Sequence, residues 1–137
     1  MDGLTVCLAT IPHTGTTFFA QLIGQHFKLG DHATMSGGLI SMHVTPHSLP
    51  LIREHRRNLH LVTTIRDWSK VRASWEQRGR DMSEWDRYLG DWLDLLTLDP
   101  FIVSVDSHRE ARLLRLSRAL GVVLTTDWAP VNAWRTT

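Results

Sequence analysis

Three groups of residues in this sequence have types and spacings that suit the chemistry of oxyanions. The first is the turn Pro12-His13-Thr14-Gly15-Thr16-Thr17, which joins an apolar run to an amphipathic segment. A Gly/Thr-rich turn between a strand and a helix aims backbone N–H groups at an anion near the helix N-terminus. Gly15 permits close backbone approach, and the threonine hydroxyls add donors. Thr16 stands where a Walker loop has its lysine, and no glycine opens the turn, so the strict triphosphate pattern is absent. The same residues also suit a plain strand-to-helix turn with a threonine cap.

The second group is Arg66 with Ser74. Arg66 follows the apolar run LHLVTTI, and Ser74 lies two turns into the helical segment after it. A side chain at a strand's carboxyl end and a serine on the next helix converge where open α/β sheets bind ligands. They equally suit an Arg–Asp surface pair and a solvated serine. The third group is His43, near the end of the run LISMHV. Its ordinary pKa of about 6.5 suits a general base, and a satisfied core histidine is the other reading. His43 and His47 have a metal-pair spacing, but that spacing serves a helix and this segment is extended and broken by proline, so no metal site is expected. Arg53, Arg56 and Arg57 form a basic cluster that suits a solvated helix face or an anionic acceptor.

The elements that must position these groups alternate short apolar runs with amphipathic segments, the pattern of a parallel sheet covered by helices. Strands are predicted at residues 4–10, 39–44, 59–65 and 101–105, with a short fifth over 122–125. Helical spacing covers residues 16–28, ended by Gly30, a basic turn over 51–57, and residues 67–78. A further helix follows Ser83 and stops before Asp99-Pro100. Ser107 with Glu110 reads as a capping box for a helix bearing Leu113, Leu116 and Leu120, closed by Gly121. The expected fold is a three-layer α/β domain over residues 1–137, a P-loop-type parallel sheet of about four to five strands flanked by helices.

The segment IPHTGTTFF resembles the phosphosulfate-binding loop of the sulfotransferases, P-K-S-G-T-T-W. TIRDWSKVRASW is similar to their 3'-phosphate motif, with the Arg-to-Ser interval intact, and SMHVTPHSLP to their K-T-H-L-P-x-x-L-L-P segment. The resemblance implies that Pro12, His13, Thr14, Gly15, Thr16 and Thr17 hold the 5'-phosphosulfate of 3'-phosphoadenylyl sulfate, with Phe18 packing near the adenine. It implies that Arg66 and Ser74 grip the 3'-phosphate and that His43 takes the acceptor's proton. His13 replaces the family's catalytic lysine and would carry charge only as the imidazolium. Ser41 replaces a second lysine. The family's Gly-rich C-terminal element is not evident.

The implied activity is transfer of a sulfuryl group from 3'-phosphoadenylyl sulfate to a hydroxyl or amine, releasing adenosine 3',5'-bisphosphate without a metal. Segments that usually enclose the acceptor are missing, which leaves room for a large one. Two alternatives stand beside this: a domain that binds the 3'-phosphoadenosine nucleotide without turnover, as the loss of both lysines permits, and a small kinase-like enzyme using Asp106.

Bulk properties bound the rest. The 137 residues fit one domain, and a net charge of +1 gives no reason to expect nucleic acid or a membrane as partner. Thirteen Arg against two Lys assign cationic chemistry mainly to arginine, which suits planar oxyanion recognition. A single Cys7 allows no internal disulfide and fits a reducing, cytoplasmic setting. The first apolar stretch is too short, and lacks the flanks, for a signal peptide.

Overall fold

Residues 4–126 are described by a computed structural model. They form a four-stranded parallel sheet in the order β2-β1-β3-β4, from β1 (Val6–Thr10), β2 (Leu39–His43), β3 (His60–Ile65) and β4 (Phe101–Ser104). All five residues of β1 are buried, as expected of a near-continuous apolar run in a central strand covered on both faces. Its side chains alternate between two cores. Val6 and Leu8 pack with α1 (Thr16–Ile23) and α5 (Arg109–Leu120). Cys7, Ala9 and Ile11 pack with α2 (Ser48–His55), α3 (Trp68–Gln77) and α4 (Ser83–Leu96). This is the expected three-layer arrangement.

Several boundaries differ from the sequence reading. The first helix stops at Ile23, five residues early, because the chain turns at Gly24 and drives Phe27 into the core. The basic turn is α2 itself followed by a 3-10 turn at Arg56–Asn58. α4 begins at Ser83 itself, after Met82 and without a side-chain cap, while the Asp81 carboxylate accepts from the Ser83 amide at 2.9 Å. The Ser107–Glu110 box is not made: Ser107 Oγ donates to the Ser104 carbonyl, and α5 begins after His108 without a side-chain cap. Gly121 ends α5 in the left-handed conformation as expected, but residues 122–125 form no strand. The segment TDWAPVNAW lies outside the described residues except for Thr126.

Two devices hold the outer strands of the sheet. Arg112 of α5 is buried and donates to the Ser104 and Val105 carbonyls, tying that helix to the end of β4. At the other edge, residues 28–30 run against β2, with Leu39 N donating to the Lys28 carbonyl at 2.7 Å and Gly30 N to that of Leu39 at 2.8 Å. Gly38 makes this approach possible: its φ is 145°, and a Cβ there would lie 2.1 Å from the Lys28 oxygen. Gly38→Ala should therefore cost about 3 kcal/mol, combining strained backbone with a clash that only backbone movement relieves. Urea unfolding measures this, and a variant with the parent's midpoint would show that the 28–38 segment yields without cost.

Candidate functional site

The strand ends place the three residue groups along one edge. Thr10 of β1 is in register with His43 of β2, and β3 ends at Ile65, immediately before Arg66. Between β1 and α1 the chain reverses through two left-handed residues, His13 at φ 71° and Gly15 at φ 83°. Histidine is among the non-glycine residues that tolerate this region. At Gly15 a Cβ would meet the Phe19 ring at 3.1 Å. Between them Thr14 points inward, fully buried, its hydroxyl donating to the Ile11 carbonyl at 2.6 Å and bonded to Thr64 Oγ1 at 2.7 Å. Thr14 thus braces the loop and is not exposed to a ligand, contrary to the expectation for it. Thr16 Oγ1 meets Thr10 Oγ1 at 2.6 Å, and Thr17 is exposed. The first-turn amides of α1, which lack intrahelical acceptors, begin at these two threonines.

Arg66 and Ser74 both reach His13. Arg66 Nη1 donates to the His13 carbonyl at 3.2 Å, and Ser74 Oγ bonds His13 Nδ1 at 2.9 Å. The two expected anion motifs are therefore one connected structure. Phe18 is not part of it: the ring is buried in the α1 core, edge-on to Phe19 at 5.4 Å, so the expected packing against a base is not available to it. Asp67 caps α3 through Ser69 N at 2.9 Å. Asp106 accepts from Asp67 N and pairs with Lys70 at 3.2 Å.

Pro12, His13, Thr16, Thr17 and His43 line a cavity of about 230 Å3. Arg78 and Arg80 complete its wall, and sequence reasoning missed both. The signal was present in the Arg-Gly-Arg turn one helical turn past Ser74, beside Trp75. Arg80 stacks on that indole, 4.5 Å from its centroid, while the His13 ring lies 5.7 Å from it. A larger groove of about 570 Å3, mostly apolar, starts at the same Thr16 and Thr17 and runs past Ser41 to Lys28 and Leu29. The Arg53–Arg57 cluster stands elsewhere, at the entry to β3, where Arg56 donates to the carbonyls of Leu98, Leu59 and Asp99. Among the described residues no three His, Cys, Asp or Glu side chains gather as a metal site.

The electrostatics bear on both histidines. Burial first, and then the charges of Arg78, Arg80 and Arg66, push the His13 pKa down to about 4. Burial and then Arg80 also lower that of His43. Both rings are neutral near pH 7 in the free protein, so His43 is in the form a base requires, whereas His13 is not a cation. Compared with family models, curated proteins and solved structures, the chain matches none.

A pH dependence of stability follows. Unfolding returns His13 to its ordinary pKa near 6.5, so the unfolded chain binds a proton that the folded one refuses. This contribution is fully present above pH 6.5 and is lost as pH falls through about 4. His13→Asn, which tolerates the positive φ, should flatten the stability curve between those values, read by urea unfolding at several pH values. Parallel curves for parent and variant would remove His13 as the source.

Proposed function

We propose that this domain transfers a sulfuryl group from 3'-phosphoadenylyl sulfate to a hydroxyl or amine. The observation that carries the reading is the joining of the loop and the Arg66–Ser74 pair through His13, with His43 on the same cavity. Two anion-binding elements sharing one sheet edge suit a nucleotide with separated anionic groups, one at the 5'-position and one at the 3'-position. The resemblance of the three segments to sulfotransferase motifs supports the same assignment. The lone, buried Cys7 suits the cytoplasmic setting that goes with it.

In this reading the loop amides with Thr16 and Thr17 hold the 5'-phosphosulfate, and Arg66 with Ser74 turns to the 3'-phosphate. Neutral His43 accepts the proton as the acceptor's oxygen or nitrogen bonds to sulfur. The bond from sulfur to the 5'-phosphate oxygen breaks, and its electron pair leaves with adenosine 3',5'-bisphosphate. Loop donors already aimed at that oxygen stabilise the growing charge without reorganising. A second reading, nucleotide binding without turnover, is favoured by one observation: His13 leaves the loop without a cation at neutral pH. The kinase-like alternative loses support because Asp106 is occupied by Asp67 N and Lys70.

Calorimetric titration with adenosine 3',5'-bisphosphate, ADP and ATP tests the nucleotide class, and preference for the bisphosphate is expected. Arg66→Ala should weaken the bisphosphate roughly 10- to 100-fold, the loss of one charge-assisted contact, and leave ADP nearly unchanged. Equal losses for both would mean that Arg66 acts only by holding the His13 carbonyl.

His43→Ala separates the two readings. It should keep bisphosphate affinity within about twofold while transfer to a panel of phenols and amines falls at least about 100-fold, the range for a lost general base. No transfer by the parent, with tight bisphosphate binding, would leave the non-catalytic reading standing.

A further inference from the structure

The nucleotide reading leaves the groove beside α1 unused. The sheet order β2-β1-β3 puts the Arg66–Ser74 pair on the β3 side of the loop and the groove on its β2 side. A nucleotide that spans from the loop to Arg66 therefore lies away from the groove. At about 570 Å3 the groove falls within the roughly 300–1,000 Å3 usual for small-molecule sites, and like them it is mostly apolar. One of its lining residues, Leu29, is 87% exposed, the most of any large apolar side chain among the described residues. Side chains alternate along a strand, so Leu39, Ser41 and His43 share one face of β2, the face that Leu39 packs against the α1 core. Leu39 and Ser41 line the groove, His43 lines the neighbouring cavity, and Thr16 and Thr17 line both. The two hollows are thus continuous, and the strand between Leu39 and His43 runs about 13 Å. Lys28, whose carbonyl accepts from Leu39 N, stands at the far end. Its ammonium makes no ion pair among the described residues, and no Asp or Glu among them lines the groove.

We propose that this groove holds the acceptor, and that the acceptor is a slender apolar molecule with its hydroxyl or amine at one end and an anionic group at the other. The assignment rests on the sulfuryl-transfer reading. The reacting end reaches His43 past Thr16 and Thr17, the apolar body covers Phe27, Leu29 and Leu39, and the anion meets Lys28. Apolar burial supplies the affinity, and the exposed Lys28 sets the orientation.

The test titrates ω-hydroxydecanoate, whose extended chain is close to the span from His43 to Leu39, into protein saturated with adenosine 3',5'-bisphosphate. The hydroxy acid is expected to bind, and more tightly than decanediol. Ala20→Leu, which narrows the groove, should weaken both probes about 10-fold. Gln21, exposed and lining the same groove, gives a second blocking variant, Gln21→Trp, should the first not fold. Lys28→Gln should weaken the hydroxy acid about two- to fivefold, as loss of an exposed ion pair would, and leave the diol unmoved. With 3'-phosphoadenylyl sulfate, mass spectrometry should find the sulfate on the ω-oxygen. No binding of either probe by the parent, or equal binding in parent and blocking variant, overturns the groove. A Lys28→Gln variant that weakens both probes alike, or neither, overturns the anionic end. A parent that binds no probe and forms a dimer lost in Ala20→Leu gives the face to a second copy and overturns the acceptor. Sulfation of a phenol but not of ω-hydroxydecanoate overturns it as well. Should the bisphosphate fail to bind, or nothing be sulfated, the transfer reading falls alone. Titration of the free protein then decides the groove: loss in the blocking variant supports a site for an apolar anion, and equal binding overturns it.

Discussion

Thr14 turns its hydroxyl away from solvent, donates to the Ile11 carbonyl three residues back and meets the hydroxyl of Thr64 on the neighbouring strand. Leaving such buried polar groups unmatched costs about 1–3 kcal/mol each. The pairing therefore defines where the loop crosses the end of the sheet. With Thr14 locked inward, the residues on either side must reverse the chain, and both His13 and Gly15 adopt positive φ. Gly15 meets that demand by having no side chain to strike Phe19. His13 meets it by carrying its ring out to Ser74 and its carbonyl toward Arg66. The start of α1, the position of the imidazole and the link to α3 all descend from one inward-facing threonine.

The second organising element is aromatic. Trp75 lies fully buried on α3, edge-on to Trp85 and Tyr88 of α4, and Trp68 makes similar contacts with Trp85 and Trp92. Edge-to-face packing of this kind adds roughly 0.5–1.5 kcal/mol per pair beyond the area buried. It also gives the site a rigid wall. The indole that anchors α4 against α3 is the surface against which Arg80 stacks and near which His13 rests. Core packing and site geometry are thus set by the same side chain, and helix α3 cannot shift without moving the guanidinium.

Much of this was legible in the chain itself, because the sheet announces itself through apolar runs that leave no doubt about burial. That residues 43 and 66 lie at carboxyl ends of strands follows from the parallel βαβ pattern, whereas the order that sets residue 43 beside residue 10 is a finding of the structure. What escaped was governed by tertiary partners. Glu110 and Ser107 have capping-box spacing, yet the serine finds the Ser104 carbonyl first. Phe18 occupies a motif position that suggests a ligand contact, yet its place on α1 turns it into the core. Thr14 has the chemistry of a phosphate donor, but only the structure reveals that Thr64 stands within reach of its hydroxyl. Arg78 and Arg80 drew no assignment from the sequence, and the turn at Gly79 is what brings both to the cavity wall.

The same turn explains why a histidine is tolerable where charge was expected. Position 13 is left-handed, half-buried, packed near an indole and surrounded by Arg66, Arg78 and Arg80. A permanent cation there would face three guanidinium groups within a partly desolvated wall, and like charges at such range disfavour one another. A neutral imidazole avoids that repulsion, keeps a ring nitrogen for Ser74 and accepts the strained backbone. Arginine, whose charge persists through burial that would neutralise a lysine, is suited to hold the positive potential instead. The neutral loop and the arginine turn are therefore two sides of one electrostatic arrangement. Positive charge stands beyond a helix end that an aromatic core can brace, and not in a loop that must bend sharply.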